Sequence, residues 1–370
     1  THGGMQTIED TNENDWEDVN TPFYGESDSM KSKKLLRYWE LRSWVHLTLS
    51  NCYNKDKTNW GYGADALLGL CDSSKSNLFN WSKEQNVTEG VVVNSYYFPE
   101  ENYRVLKVLN WNPESANLYG ITLENHSPKG LILENVNPNS DGEYTIYICF
   151  KETTGKLQII SQVYGQAWEN LNEMHPHTKK DFKEYSSGTG GFLGFGLGSS
   201  TVFPTVNRGI WDGQYNGRHK TNFENPGIRK DLLDFMRDKP LDTNIVITGM
   251  SLGGQLSQCA ALDLALMGFT KVNLITFASP RSINHLSVKL LKDKGVKCLR
   301  VECNDVGNKL DVAVGLHRPA MGVNQKMRDS LNWTYPGKSL KFVITPDNLV
   351  TRDDFNTCIT RLNKCVVITH

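Results

Sequence analysis

The sequence predicts an α/β protein in which a mostly parallel sheet carries helices on both faces. Apolar β-branched runs alternate with helix-spaced apolar residues through the second half of the chain, as is typical of parallel strands joined by crossover helices. In such sheets the functional groups gather at the carboxyl ends of the strands. The predicted strands are 118–123, 130–134, 144–150, 245–248, 272–277 and 298–303, and the predicted helices are 34–49, 64–70, 227–237, 252–267 and 282–292.

The composition is that of an ordinary globular protein. The chain has 370 residues, of which 38% are hydrophobic and 22% charged, with a formal net charge of −1. This balance gives no electrostatic reason to expect a nucleic-acid partner. No apolar run approaches the roughly 20 residues of a membrane-spanning helix. We therefore expect no transmembrane segment.

Neither a metal nor a cofactor is expected. None of the eight cysteines forms a C-x-x-C pair, which is the usual spacing of a structural zinc site. His175 and His177 are interpreted as part of a solvated loop. Compartment and oligomeric state are left open by the sequence.

Changes in composition divide the chain into three parts. Residues 1–30 contain eight acidic residues and no Lys or Arg, which predicts a flexible, solvated N-terminal segment. Residues 31–115 begin with a helical pattern and are expected to form a helical layer packed on the core. Residues 116–370 hold the alternating strands and helices, with a lid-like insertion near 155–205.

The most informative motif is the turn that follows the strand-like run 245–248. It reads G-x-S-x-G from Gly249 to Gly253, with Ser251 at its centre. Between a strand and a helix, this pattern is typical of a nucleophile elbow, in which the serine adopts a strained backbone and its hydroxyl is exposed. The amide of Leu252 is then placed to stabilise a developing oxyanion. The alternative is a tight turn with an inert serine.

Taken in order, five segments resemble the class 3 lipase family of α/β hydrolases. That family shows an F-R-G-T/S loop, a hydrophobic-Gly-Phe segment, G-H-S-L-G-G, T-F-G-S-P-R and an N-D-hydrophobic turn. The resemblance implies the α/β-hydrolase fold and covers about residues 118–310. The corresponding segments here are Phe150–Thr153, Arg208–Ile210, Gly249–Gly254, Thr276–Arg281 and Asn304–Val306.

The resemblance also implies roles for individual residues. Ser251 would be the nucleophile, and the amides of Leu252 and Thr153 would form the oxyanion hole. Lys151 and Glu152 replace the family's Arg-Gly before the oxyanion threonine. A carboxylate at this place would repel a developing oxyanion unless it points away.

The remaining members of the implied triad follow the serine in the chain. Asp305 would orient a histidine and stabilise its imidazolium. Because the histidine follows the acid in this fold, the candidates are His370, whose spacing is nearer the family's, and His317. A capping role for Asp305 and the absence of a functional base are the alternatives.

A glycine-rich stretch lies in the interval where this family carries its lid. Residues 188–200 alternate Gly with the apolar residues Phe192, Leu193, Phe195 and Leu197. Such a segment is suited either to cover the site in water and meet a lipid surface or to pack as a loop against the core.

The prediction is a serine lipase or esterase that hydrolyses acyl esters of lipids, such as triacylglycerol or phospholipid, through an acyl-enzyme. Its expected partners are a lipid ester substrate and, transiently, a membrane or lipid-droplet surface. The alternative is a catalytically weak or inactive lipase-like scaffold used for binding or signalling. Glu152 and the position of His370 at the last residue favour that alternative.

Overall fold

The four α-helices that the structure describes are α1 (Asp28–Cys52), α2 (Arg229–Met236), α3 (Leu252–Met267) and α4 (His285–Asp293). A π-helical turn at Trp211–Tyr215 precedes α2. The structure, a computed structural model, describes residues 20–52, 84–111, 117–118, 121–122, 127–138, 142–151, 168–170, 187–188, 201–202, 204–207, 210–220, 223–304, 333–334, 336–343 and 366–367.

The strands in this described part range from two to ten residues. They are β1 (Val92–Asn94), β2 (Asn102–Trp111), β3 (Asn117–Leu118), β4 (Ile121–Thr122), β5 (Ser127–Asn135), β6 (Thr145–Phe150), β7 (Trp168–Asn170), β8 (Ser187–Gly188), β9 (Thr201–Val202), β10 (Thr205–Asn207), β11 (Gly217–Lys220), β12 (Phe223–Pro226), β13 (Asn244–Met250), β14 (Lys271–Phe277), β15 (Ile283–Asn284), β16 (Lys297–Asn304), β17 (Trp333–Thr334), β18 (Lys338–Val343) and β19 (Val366–Val367).

The largest sheet has nine strands in the order β1-β2-β5-β6-β13-β14-β16-β18-β19. Its centre is parallel, from β6 through β13, β14 and β16 to β18. The flanking pairs β1–β2, β2–β5, β5–β6 and β18–β19 are antiparallel. Helix α3 joins β13 to β14, and α4 lies between β14 and β16. The carboxyl ends of these five parallel strands therefore meet at one edge of the sheet.

Helices cover both faces of this sheet. Strand β13 shows the division, because Ile245 and Ile247 pack in the core beneath α2, α3 and α4, whereas Val246 packs in the core beneath α1. Parallel strands buried on both faces are expected to be almost wholly apolar. The sequence of β13, NIVITGM, has this character.

Most sequence-predicted elements of the core are confirmed with small shifts at their ends. Helix 252–267 is confirmed with the same bounds, and strand 272–277 begins one residue earlier, at Lys271. Helix 282–292 begins later, at His285, where Asn284 accepts a hydrogen bond from the backbone amide of Ser287 and so caps the helix. Predicted strand 118–123 is instead divided between β3 and β4. Predicted helix 64–70 lies outside the described residues.

The prediction of a helical layer over residues 31–115 is wrong in part. Helix α1 does form such a layer, but β1 and β2 belong to the nine-stranded sheet itself. Strand β2 pairs with β5 through two register shifts, between Val105 and Lys107 and between Leu109 and Asn110. Each shift breaks the alternation of apolar and polar residues by which a strand is predicted.

None of the helices in the described ranges is both long and apolar enough to cross a bilayer.

Candidate active site

Ser251 adopts a backbone conformation that is rare for any residue with a side chain. Its φ is 51° and its ψ is −120°. Among the described non-glycine residues, only Ser251 and Ala278 have positive φ. A serine held in this way between a strand and a helix has the backbone of a nucleophile elbow. Its side chain is half-buried at the edge where the parallel strands end.

The glycines around Ser251 are required by close contacts between main chains. A Cβ on Gly249 would collide with the carbonyl of Gly253. A Cβ on Gly253 would lie 2.5 Å from the carbonyl oxygen of Phe150 and 2.6 Å from that of Lys151. The G-x-S-x-G spacing therefore lets α3 begin directly against the ends of β13 and β6.

The backbone of Ser251 is fixed by three hydrogen bonds. Its amide donates to the carbonyl of Phe277 at 2.9 Å, and its carbonyl accepts from the amides of Gly254 at 2.9 Å and Gln255 at 3.3 Å. Leu252 is the first residue of α3, and the first amides of a helix have no acceptor within the helix. The predicted oxyanion donor is thus placed immediately after the serine.

Four strands bring their carboxyl ends to this edge in register. Gly249 pairs with Phe150, Met250 pairs with Phe277, and Phe277 pairs with Val301. The segments that the sequence predicts to be functional leave the sheet here. Asn304 is the last residue of β16, so the chain enters Asp305 from the same edge as Ser251.

The predicted site residues other than Ser251 and Leu252 lie outside the described residues, so their roles stay predictions. Strand β19 precedes His370 in the chain and runs antiparallel to β18, so from Val366 to Val367 the chain runs away from the edge at which Ser251 lies. The predicted site residues that lie outside are Thr153, Phe192, Leu193, Phe195, Leu197, Asp305, His317 and His370.

Sequence reasoning did not predict that two lysines beside this edge, Lys129 and Lys151, are buried. Lys129 and Lys151 are both fully buried, and the amide of Lys151 donates to the carbonyl of Lys129 at 3.1 Å. Burial, together with the neighbouring positive charge of Lys151, holds the pKa of Lys129 well below its usual range. Lysine is so often exposed that no signal in the sequence distinguishes these two.

Ala278 is the second strained residue, and it lies next to the acceptor of the Ser251 amide. Its φ is 43°, and its own amide donates to the carbonyl of Val301 at 2.8 Å. The family motif T-F-G-S-P-R has glycine at this position, which the left-handed conformation favours. Strands β14 and β16 therefore hold alanine in a conformation more suited to glycine.

In the described part of the chain, no cluster of three or more His, Cys, Asp or Glu residues could hold a metal ion. The described cysteines Cys149, Cys259 and Cys298 are buried free thiols. Burial raises the pKa of each thiol.

Comparison with known proteins gives one family match and several distant structural likenesses. The model of the class 3 lipase family matches residues 161–308, a range that includes Ser251. A Rhizomucor miehei lipase in complex with its propeptide is 14% identical, with 90% of this chain and 77% of that chain covered and a TM-score of 0.41. The lipase of Rhizopus microsporus var. chinensis is 14% identical, with 92% and 85% covered and a TM-score of 0.40.

No curated protein matches the sequence.

Proposed function

We propose that this chain hydrolyses acyl esters of lipids with Ser251 as the nucleophile. The match of residues 161–308 to the model of the class 3 lipase family supports the proposal. The observation that carries the proposal is the positive φ of Ser251 between β13 and α3. Strain of this kind persists only where the surrounding structure imposes it, and it is concentrated at functional sites. The family match supports lipid ester hydrolysis, and the acyl-enzyme route is our inference.

The proposed reaction has two halves. The hydroxyl oxygen of Ser251 attacks the ester carbonyl carbon while a histidine accepts the hydroxyl proton, and the negative charge forms on the carbonyl oxygen. The amides of Leu252 and Thr153 are proposed to bind that oxyanion. The histidine returns the proton to the departing alcohol. Water, activated by the same histidine, then releases the fatty acid from the acyl-serine.

Asp305 is the proposed acid of the triad, because it follows β16 at the catalytic edge. The base is proposed to be His370 or His317. Spacing along the chain favours His370, whereas the direction of β19 favours His317. Single variants distinguish them. We expect His→Ala at the true base to lower kcat/KM for a soluble ester by at least about 1,000-fold, and the same change at the other histidine to leave it within about twofold.

A fluorophosphonate probe tests the nucleophile directly, since the hydroxyl oxygen of an activated serine displaces fluoride from its phosphorus and becomes phosphonylated, whatever the natural lipid. We expect the full chain to be labelled, and labelling to be lost in Ser251→Ala with an unchanged circular dichroism spectrum. Folded parent protein that neither reacts with the probe nor hydrolyses short-chain esters would contradict the proposal. That result would favour the binding or signalling scaffold.

We further propose that residues 188–200 form a lid that contacts lipid surfaces through Phe192, Leu193, Phe195 and Leu197. The apolar side chains of this segment support the idea, because burying apolar area provides affinity for a bilayer or droplet surface. We expect replacement of these four residues by serine to lower activity on emulsified ester much more than on dissolved ester. An equal effect on both substrates would count against a lid.

A further inference from the structure

Gln258 is a fully buried polar residue on the second turn of α3. Its side-chain amide nitrogen donates to the hydroxyl of Ser279 at 2.9 Å and to the carbonyl of Pro280 at 3.2 Å. Its side-chain oxygen accepts a hydrogen bond from the hydroxyl of Ser282 at 2.7 Å. We call this set of contacts, from Gln258 to Ser279, Pro280 and Ser282, the Gln258 clamp.

The Gln258 clamp fixes a loop that already approaches α3 very closely. A Cβ on Gly254, one turn before Gln258, would collide with the side chain of Ser279. Main chain at this distance excludes water, so the buried hydroxyls of Ser279 and Ser282 need partners within the protein. Gln258 supplies a partner to each hydroxyl from α3, the helix that follows Ser251, and the hydroxyl of Ser279 also donates to the carbonyl of Pro280 at 3.0 Å.

The clamped loop is continuous with the residue that holds the nucleophile. Phe277 accepts the amide hydrogen bond of Ser251, and Ala278 follows with positive φ. The two strained residues, Ser251 and Ala278, therefore follow adjacent strands and are connected through the hydrogen bond from the Ser251 amide to the Phe277 carbonyl. If the loop relaxed away from α3, Ala278 could leave the left-handed conformation, and the carbonyl of Phe277 would turn away from Ser251.

We propose that Gln258 is a positioning residue for Ser251. It would act by holding the loop 278–282 so that the Phe277 carbonyl keeps Ser251 in its strained conformation. This inference rests on the proposed function of Ser251 as nucleophile. Catalytic groups displaced by about 1 Å lose on the order of 100-fold in rate, so a small relaxation of the loop is sufficient for a measurable effect.

The test compares Gln258→Met and Ser282→Ala with the parent chain. Gln258→Met keeps the length of the side chain and removes all three hydrogen bonds, whereas Ser282→Ala removes one. We expect Gln258→Met to lower the rate of fluorophosphonate labelling and the kcat for p-nitrophenyl butyrate about 10- to 100-fold, with KM within twofold. The effect of Ser282→Ala should have the same direction and be smaller.

A merely structural role is excluded by two further readouts. Leu264→Val changes a buried residue near the other end of α3, and it serves as the control variant that lowers Tm without touching the clamp. Hydrogen–deuterium exchange of a peptide spanning 250–254 reports whether the Ser251 amide is still bonded to Phe277. We expect faster exchange there in Gln258→Met and parent-like exchange in Leu264→Val.

The possible results separate the two proposals. Parent-like kcat and exchange in folded Gln258→Met would overturn the positioning role, and so would an equal kcat loss in Leu264→Val at the same Tm. A parent chain that is not labelled would contradict the nucleophile instead. In that case the hydrogen–deuterium exchange of residues 250–254 alone shows whether the Gln258 clamp keeps the Ser251 amide bonded to Phe277.

Discussion

At the scale of single residues, the turn at Ser251 depends on the absence of side chains at Gly249 and Gly253. Gly253 lies against the carbonyls of Phe150 and Lys151 at distances that no side chain permits, and this contact lets α3 start beside β6. The G-x-S-x-G spacing made the strained turn at Ser251 predictable, because glycines at these two positions permit the close contacts between main chains. The partners of Gln258 were not predictable, because a glutamine in a helix gives no indication of which distant loop will pack on it.

Gly253→Ala is expected to destroy the turn. The new methyl group would lie inside the contact distance of two backbone oxygens, so either α3 or β6 must move. We expect fluorophosphonate labelling to fall at least about 100-fold and the free energy of unfolding to fall by about 2 kcal/mol or more.

Gly295→Ala is the matched control. Gly295 also has positive φ, but nothing lies within 4 Å of a Cβ placed there. It should lose only about 1 kcal/mol of stability and retain labelling. Similar labelling by the two alanine variants would mean that the close approach of Gly253 is unimportant.

Ala278→Gly is expected to stabilise the protein. The φ of 43° at Ala278 costs alanine about 1 kcal/mol relative to glycine, although the more flexible unfolded chain offsets part of the gain. Urea unfolding should give an increase of several tenths of a kcal/mol. A decrease would indicate that the methyl group of Ala278 contributes packing that exceeds its backbone strain.

At the scale of elements, α1 and α3 carry buried charges that fix them to their neighbours. Glu40 of α1 is buried and accepts hydrogen bonds from the hydroxyl of Ser95 at 2.6 Å and the amide of Tyr96 at 2.6 Å. Asp263 of α3 accepts a bidentate pair of hydrogen bonds from the guanidinium of Arg229, at 2.8 and 3.0 Å. The apolar pattern predicted both helices, but charged residues within it gave no sign of being buried.

The carboxyl group of Glu40 should make stability depend on pH. Burial is the larger effect and raises its pKa from 4.5 to about 7, while the hydrogen bonds from Ser95 and Tyr96 lower it in part. Because the folded-state pKa lies above the unfolded one, its stabilising contribution is complete below pH 4.5 and is lost as the pH rises through about 7.

Glu40→Gln removes this titration. The free energy of unfolding of Glu40→Gln minus that of the parent should therefore increase by up to about 3 kcal/mol from pH 4.5 to pH 8. Parallel curves for the two proteins across that range would contradict the shift. The comparison uses chemical unfolding at several pH values.

Asp263→Asn should be strongly destabilising. Asp263 also accepts a hydrogen bond from the hydroxyl of Tyr215 at 2.8 Å, so it ties α3 to α2 and to the π-helical turn. Removing its charge leaves the guanidinium of Arg229 poorly compensated, which costs about 3–5 kcal/mol in a buried pair. Tyr215→Phe is the control and should lose only about 1 kcal/mol. Equal losses in thermal or urea unfolding would show that the ion pair contributes little.

At the scale of the whole molecule, the nine-stranded sheet contains strands from both regions that the sequence predicted as separate layers, residues 31–115 and 116–370. The parallel centre was predictable because its strands are continuous apolar runs. Strands β1 and β2 were not, since the register shifts of β2 obscure its alternation. Helix α1 buries Leu35, Leu36 and Trp44 completely. Helix α1 is therefore part of the core.

Truncation tests this organisation. A chain that begins at residue 53 lacks α1 and exposes the apolar sheet face beneath it, so we expect it to be insoluble or to bind hydrophobic dyes. A chain that begins at residue 20 removes an acidic stretch and should keep the parental Tm within a few degrees. A soluble, cooperatively unfolding protein starting at residue 53 would contradict the integral role of α1.

The conformation of residue 251 is imposed on the main chain by glycines, by a neighbouring strand and by the start of a helix. None of these constraints depends on the hydroxyl group. The turn would therefore present another small side chain at residue 251, such as the thiol of cysteine, to the same edge of the sheet.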